Sequence, residues 1–289
     1  MCLKKKVDFV LLVSVYNANP NGDPLNGNRP RTDYDEIGEI TDVCVKRKIR
    51  NRMMDLGKNV FVQSDDRAND GFFSLKARAE AKGIGKKIAD NKNKEQNKTK
   101  ADSKIACETW LDVRTFGQVF ALNGSEGNIS IGVRGPVSVQ IARSVDPVDV
   151  VSMQITKSVS NEDGDKRGPD TMGMKHFVRY GLYVIKGSIN PVLAEKTGFS
   201  DEDADVVKEC LRTLFDNDAS SARPEGSIVV EKLYWFEQKA EDKKISSRNV
   251  HNSVVVKKKE GIETPRAFDD YIVTRNSLDN LVCEELEGN

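Results

Sequence analysis

Between Val7 and Tyr16 the chain reads VDFVLLVSVY, an apolar and β-branched run broken only by Asp8 and Ser14. A continuous apolar run of this length, stopped by turn residues, predicts a β-strand with both faces buried. The next stretch, NANPNGDPLNGNRPR, is almost all Asn, Gly, Pro, Asp and Arg and predicts a long loop. Polarity then becomes helical. In DVCVKRKIRNRMMDLG, Val45, Ile49, Met53 and Leu56 recur as one apolar stripe, Thr41 is placed to cap the N-terminus, and Gly57 to end the helix. A short strand is expected at NVFVQ. A β–loop–α–β opening of this kind suits a sheet with helices on one face.

Further along, KKIADNKNKEQNKTKADSK is poor in apolar residues and reads as an exposed, cationic insertion. ACETWLDVRTFGQVFAL is expected to be a helix, with Trp110, Val113, Phe116, Val119 and Phe120 turned inward. ISIGVRGPVSVQIARSV has strand composition, interrupted at Gly135-Pro136. From Asp146 to Lys175 a strand-like segment enters a run of turn residues and returns in VRYGLYVIKGSINP, the pattern of a projecting hairpin. Two helical segments follow, PVLAEKTG and SDEDADVVKECLRTLFDND, the second opened by Ser200 with Asp203 as a capping box. SIVVEKLYWFEQ predicts a strong strand, and the acidic end, EELEGN, is expected to fray.

At 289 residues and 38% hydrophobic content the chain can build a substantial core. It has no apolar run of membrane-spanning length. The basic start followed by an apolar run mimics a signal peptide, but Asp8 interrupts it and no small-residue cleavage site follows, so the run is read as the first strand. Five dispersed cysteines without a CxxC pair argue for a reducing, cytoplasmic setting and against zinc or disulfides. Net charge is zero, yet residues 1–150 carry 25 Lys and Arg against 20 Asp and Glu, and the remainder 20 against 25. That asymmetry suits a polyanion on one surface, or stacking of copies head to tail.

Catalytic patterns are absent. The two histidines, His176 and His251, lie in unrelated contexts, and no GxSxG, HExxH or GxxxxGK[ST] occurs. The opening loop holds Asp23, Asp33 and Asp35, but their spacing matches no calcium loop. The same loop can bring backbone N–H groups and the charges of Arg29 and Arg31 to phosphates, or it can be a structural turn. On the helix that follows, Lys46/Arg50 and Lys48/Arg52 are like-charge i,i+4 pairs, unfavourable in isolation. They point either to an anionic partner or to a solvated face. Lys166, Arg167, Lys175 and His176 flank Met172 and Met174, a combination that can hold a backbone and wedge between bases, or can bury against the domain. RYGLYVIKG carries a faint likeness to an RNA-recognition strand.

Taken together, NANPNGDPLNGNRPR, WLDVRTFGQVFA, VRGPV, SVDPV, DTMGMKHFVRYGLYVIKGSINPVLAEKTGFSDED and SARPEGS resemble, in this order, the backbone subunit of CRISPR-associated Cascade complexes: the Cas7 family of type I-C systems (Csd-two subgroup). The resemblance runs from about Val7 to Tyr234; residues 244–289 match no motif of it. It implies an α+β fold, a modified RNA-recognition (ferredoxin-like) palm over residues 1–289, with a helical fingers insertion at 64–105 and a projecting thumb hairpin at 148–177. It implies a non-catalytic subunit without cofactor or metal. Such a subunit would bind guide RNA (crRNA), polymerise head to tail with its own copies, contact other Cascade subunits, and present the guide to target DNA. Mapped onto this sequence, the RNA contacts would be Asn19, Asn21, Arg29 and Arg31 in the loop and Lys46, Arg47, Arg50 and Arg52 on the helix. Arg114, Arg134, Arg143, Lys157, Met172, Lys175, His176 and Arg223 would complete them. The alternative is a metal-dependent RNA endonuclease of the type III backbone kind, using Asp23 or Asp33.

Overall fold

The computed structural model describes residues 1–85, 92–124, 127–156, 172–238 and 245–289. The architecture is α+β, built on an antiparallel sheet of eight strands among the described residues. Strand β1 (Val7–Ala18) lies at its centre, and the residues from Val7 to Val15 are all buried. The chain then makes a small hairpin, β2 (Gly22–Asp23) and β3 (Arg29–Pro30), an edge strand β4 (Ile37–Ile40) and helix α1 (Asp42–Asp55). Thr41 caps α1 by accepting from the Cys44 amide, as the sequence predicts. Val45, Ile49 and Met53 are buried on it, whereas Leu56 lies beyond its last turn and is exposed. NVFVQ is not a strand. Its Phe61 and Val62 amides donate instead to the Asp112 carboxylate, at 2.7 and 3.1 Å.

Helices α2 (Leu75–Ala81), α3 (Lys92–Thr109) and α4 (Leu111–Phe116) follow, then the hairpin β5 (Gly117–Gly124) and β6 (Gly127–Arg134). The expected single helix through FGQVFAL stops at Phe116, because Gly117 takes φ +81° where a Cβ would strike the Val133 carbonyl. Beyond it Phe120 and Ile131 face a small core with Phe61 and Trp110. Val119 points to solvent. Phe120 is inward on either reading and Val119 only on the helical one, and a short apolar run does not decide between the two.

Strands β7 (Val137–Val139), β8 (Ala142–Pro147) and β9 (Val150–Thr156) all pair with β10 (Met172–Ile189). The other side of β10 pairs with β1, from Val178 to Ile189. Helices α5 (Pro191–Thr197) and α6 (Asp201–Arg212) come next, the latter opened by the predicted Ser200–Asp203 capping box. Strand β11 (Ile228–Gln238) then pairs with β1. The remaining chain forms α7 (Ser247–Ser253), the hairpin β12 (Val254–Lys258) and β13 (Tyr271–Arg275), and β14 (Leu281–Glu287). The acidic tail does not fray. β14 adds to β11 from Lys232 to Gln238 and becomes the sheet's edge.

Alternation along β1 divides two cores. Phe9, Leu11 and Val13 meet α1, α6 and Trp235 on one side, while Val10 and Leu12 meet Tyr180, Phe236, Val250 and Tyr271 on the other. Tyr180, the residue with the RNA-recognition likeness, is therefore covered by the C-terminal segment, and burial pushes its hydroxyl up to about 12. Tyr183 is buried in the opposite core. All five cysteines are free, and among the described residues no helix is long and apolar enough to cross a membrane.

Asp112 is fully buried and also accepts from Arg50 Nε at 2.8 Å. Removing one partner of a buried pair leaves an uncompensated charge. Asp112→Ala is therefore expected to cost about 3–5 kcal/mol in chemical denaturation, and Arg50→Met added to it should recover part of the loss.

Candidate nucleic-acid interface

The opening loop owes much of its composition to its own geometry. Asn17, Gly27 and Asn28 all adopt positive φ, which Gly tolerates freely and Asn better than most residues. Asn19 is buried; its side-chain amide donates to the Asn28 carbonyl at 2.7 Å, and its backbone amide to Ala222. Asn21 Oδ1 accepts from both the amide and the hydroxyl of Thr41, each at 2.9 Å. Both Asn side chains fasten the loop, the second to the N-cap of α1. The loop is in this respect a built turn, one of the two readings left open by the sequence.

Its two arginines do different things. Arg31 pairs with Asp23 at 3.2 Å, and Asp23 also accepts from the Leu25 amide. Arg29 reaches across to the β9–β10 hairpin, donating to Ser152 Oγ at 2.6 Å and lying 3.5 Å from His176 Nδ1. A cavity of about 370 Å³ opens beside it, lined by Arg29, Thr32, Glu36 and residues 147–150. A second of about 110 Å³ shares Arg29, Thr32 and Val150 and is bordered by Asp23 and Arg31. The loop, the turn after it and the hairpin root thus line two adjoining cavities, a groove with Arg29, Thr32 and Val150 on the wall of both. Arg143 stands near it, 60% exposed, paired with Asp33 at 3.4 Å and Glu39 at 3.0 Å. Asp33 also accepts from the Asp35 and Ile37 amides, so it and Asp23 are both engaged in turns.

The hairpin carries two different faces. By ladder register, Ser152, Gln154, Met172, Met174 and His176 share one, and Met153, Ile155, Gly173 and Lys175 the other. Met153, Ile155, Met172 and Met174 are each roughly half exposed, an unusual density of apolar surface for a strand pair. Lys175 has no partner among the described residues. Lys157 lies outside them.

The like-charge spacing on α1 left an anionic partner and a solvated face both open; in the fold each of these cations has an acceptor within the chain. Lys46 pairs with Asp42 at 2.9 Å, Arg47 donates to the Val62 carbonyl at 2.8 Å, and Arg50 holds Asp112. Arg52, only 8% exposed, binds Thr213 and Asp55. Lys48 is buried on Asp218, and burial lowers its pKa despite that carboxylate. Arg223 shares Asp218 at 2.9 Å, and Arg114 makes a two-pronged pair with Asp203 at 2.8 and 2.9 Å. Apart from Lys46, whose partner lies on α1 itself, these side chains tie α1 and α4 to α6 and to neighbouring loops. Helix spacing cannot see carboxylates up to 170 positions distant that neutralise them. Arg134 is different: it is exposed on the outer side of the β5–β6 hairpin with no partner among the described residues. Sequence reasoning missed Thr32, Gln154 and Arg179, which border the groove or the hairpin. Only the alternation in VVSMQIT hinted at the polar edge of β9.

Comparison with known proteins places these features in a lineage. The family model described as "CRISPR-associated protein Cas7" matches residues 5–276. A curated Haloferax volcanii protein of the same description is 26% identical over 295 residues, spanning 91% of this chain and 84% of its own length. Among solved structures, a chain of a pre-nicking CRISPR RNA-guided surveillance complex has TM-score 0.49 at 15% identity, covering 85% of this chain and 81% of its own. A chain of another such complex has TM-score 0.48 at 17% identity, over 89% and 78%.

The ion pairs separate structural cations from available ones. Arg52→Met is expected to lower the unfolding free energy by about 1–3 kcal/mol, since it strips buried partners. It should leave the salt dependence of RNA binding unchanged. Arg134→Ala should do the reverse: an unaltered melting temperature, and a log K against log salt slope shallower by about 0.7.

Proposed function

This chain belongs to the Cas7 family, and from that premise we propose that it is the guide-RNA-binding backbone subunit of a type I-C surveillance complex. Copies polymerise head to tail along the crRNA spacer, contact other Cascade subunits, and present the guide for pairing with target DNA. The subunit is non-catalytic, needs no cofactor, works in the cytoplasm and has no membrane partner. The family match over residues 5–276 carries this reading. The large antiparallel sheet serves as a modified RNA-recognition palm, residues 64–105 as fingers and 148–177 as thumb.

The groove between the loop and the hairpin supports a backbone-tracking role. Arg29 and Arg31 border it, Arg143 pairs with Glu39 on its wall, and Met172, Met174 and His176 occupy one face of the hairpin. In this reading these residues, with Lys157, Lys175 and Arg134, contact the RNA, and the methionines wedge between bases at each kink. Apolar wedges of this sort unstack the bases at a cost of a few kcal/mol per step and kink the strand without reading its sequence. Sequence reading is left to Watson–Crick pairing. The endonuclease alternative finds no support in the loop. Asp23 is held by Arg31 and caps the turn at Leu25.

Expression with a repeat–spacer RNA, followed by nuclease digestion of the purified assembly, tests the proposal. Protection with cleavage at evenly spaced positions is expected, and the interval gives the footprint per copy. Uniform degradation, persisting when the partner subunits are supplied, would overturn it. Cleavage of RNA that requires Mg²⁺ and is lost in Asp23→Asn would favour the endonuclease instead.

A further inference from the structure

We propose that Arg29, Ser152 and His176 form a latch that sets the angle of the β9–β10 hairpin over the opening loop, with Ser152 as its positioning residue. The proposal rests on the reading of that hairpin as the element that spaces the RNA.

The latch joins segments 123 and 147 positions apart. Ser152 and His176 are direct cross-strand partners at the root of the hairpin, with Ser152 Oγ 2.9 Å from His176 Nδ1. A serine hydroxyl offers one proton and two lone pairs. Ser152 accepts from Arg29 at 2.6 Å, which leaves its proton and its second lone pair for the contact with Nδ1. The hydroxyl thereby links Arg29 to His176. Arg29 is itself anchored by pairing with Asp23 in the small hairpin. Gly27 of the same turn faces the other ring nitrogen, where an added Cβ would stand 4.0 Å from Nε2.

Among the described residues, few other hydrogen bonds hold this part of the chain to the domain. β10 pairs with β1 only as far out as Val178. Beyond it the described hairpin is a two-stranded ribbon, exposed from Ser152 to Thr156, and such ribbons are marginal on their own. Met172 lies four residues past His176, about 13 Å at ~3.3 Å per residue, so a root tilt of ~10° would carry it about 2 Å. Ser152 belongs to the same hairpin face as both methionines. A contact at the root therefore decides where Met172 and Met174 fall relative to the groove, and Ser152 does this without being one of the residues assigned to the RNA.

Two measurements on Ser152→Ala test this. In the RNA-free protein, hydrogen–deuterium exchange of the amides from 150–156 and 172–178 should quicken about 2- to 10-fold, the range expected for one lost hydrogen bond. Exchange in β1 should stay as in the wild type. On a repeat–spacer RNA, affinity should stay within about threefold while the evenly spaced nuclease cuts blur or shift. Ser152→Thr, which keeps the hydroxyl, should restore both. Unchanged hairpin exchange in Ser152→Ala would overturn the latch whatever the RNA result, as would sharp wild-type cuts. Absence of regular cuts in the wild type, with exchange behaving as expected, would overturn the guide-RNA reading and leave the latch standing as a property of the fold.

Discussion

Strand β1 has no solvent face, and most of the architecture follows from that constraint. From Val7 to Val15 every residue is buried, with β10 on one side and β11 on the other. A strand in this position needs a layer on each side of the sheet. The α1 and α6 layer covers Phe9, Leu11 and Val13, and the C-terminal α7 with β12–β13 covers Val10 and Leu12. The second layer also removes the aromatic sheet face from solvent. Tyr180, Tyr234 and Phe236 lie beneath it and provide no open stacking platform. An interface with nucleic acid must then be sought at the rim of the sheet, where loop and hairpin meet.

At that rim rigidity and exposure are divided between partners. The loop is held by Asn19, Asn21 and three positive-φ residues, and so presents Arg29 from a fixed frame. The hairpin continues the central strand β10 outward beyond the sheet. The pinned loop and the root of the hairpin, which the core holds through β10, bound the groove from two sides.

Charge is arranged on the same principle. Lys48, Arg50, Arg52 and Arg114 are positive in the sequence but neutralised in place by Asp218, Asp112, Asp55 and Asp203. These pairs add to the apolar contact among α1, α4 and α6 at its margins. Burying charges is costly unless each is matched, so such pairs hold elements in one arrangement rather than supplying much net stability. Among the described residues fewer cations, Arg134 and Lys175 among them, have no partner within the chain.

Much of this could be read in the chain itself. The buried strand, the cap at Thr41, the capping box at Ser200 and the projecting hairpin each follow from local chemistry, because propensity, capping and period-2 alternation act over a few residues. The order of short motifs also carried the family resemblance. Tertiary structure decided the rest. Gly117 turned a helix-like run into a strand because the Val133 carbonyl lies against it. The acidic tail became an edge strand because β11 offered an open ladder. The cationic face of α1 became a set of ion pairs because carboxylates distant in sequence were folded against it. Each of these outcomes depends on a partner far along the chain, and local spacing holds no information about which distant residue will arrive.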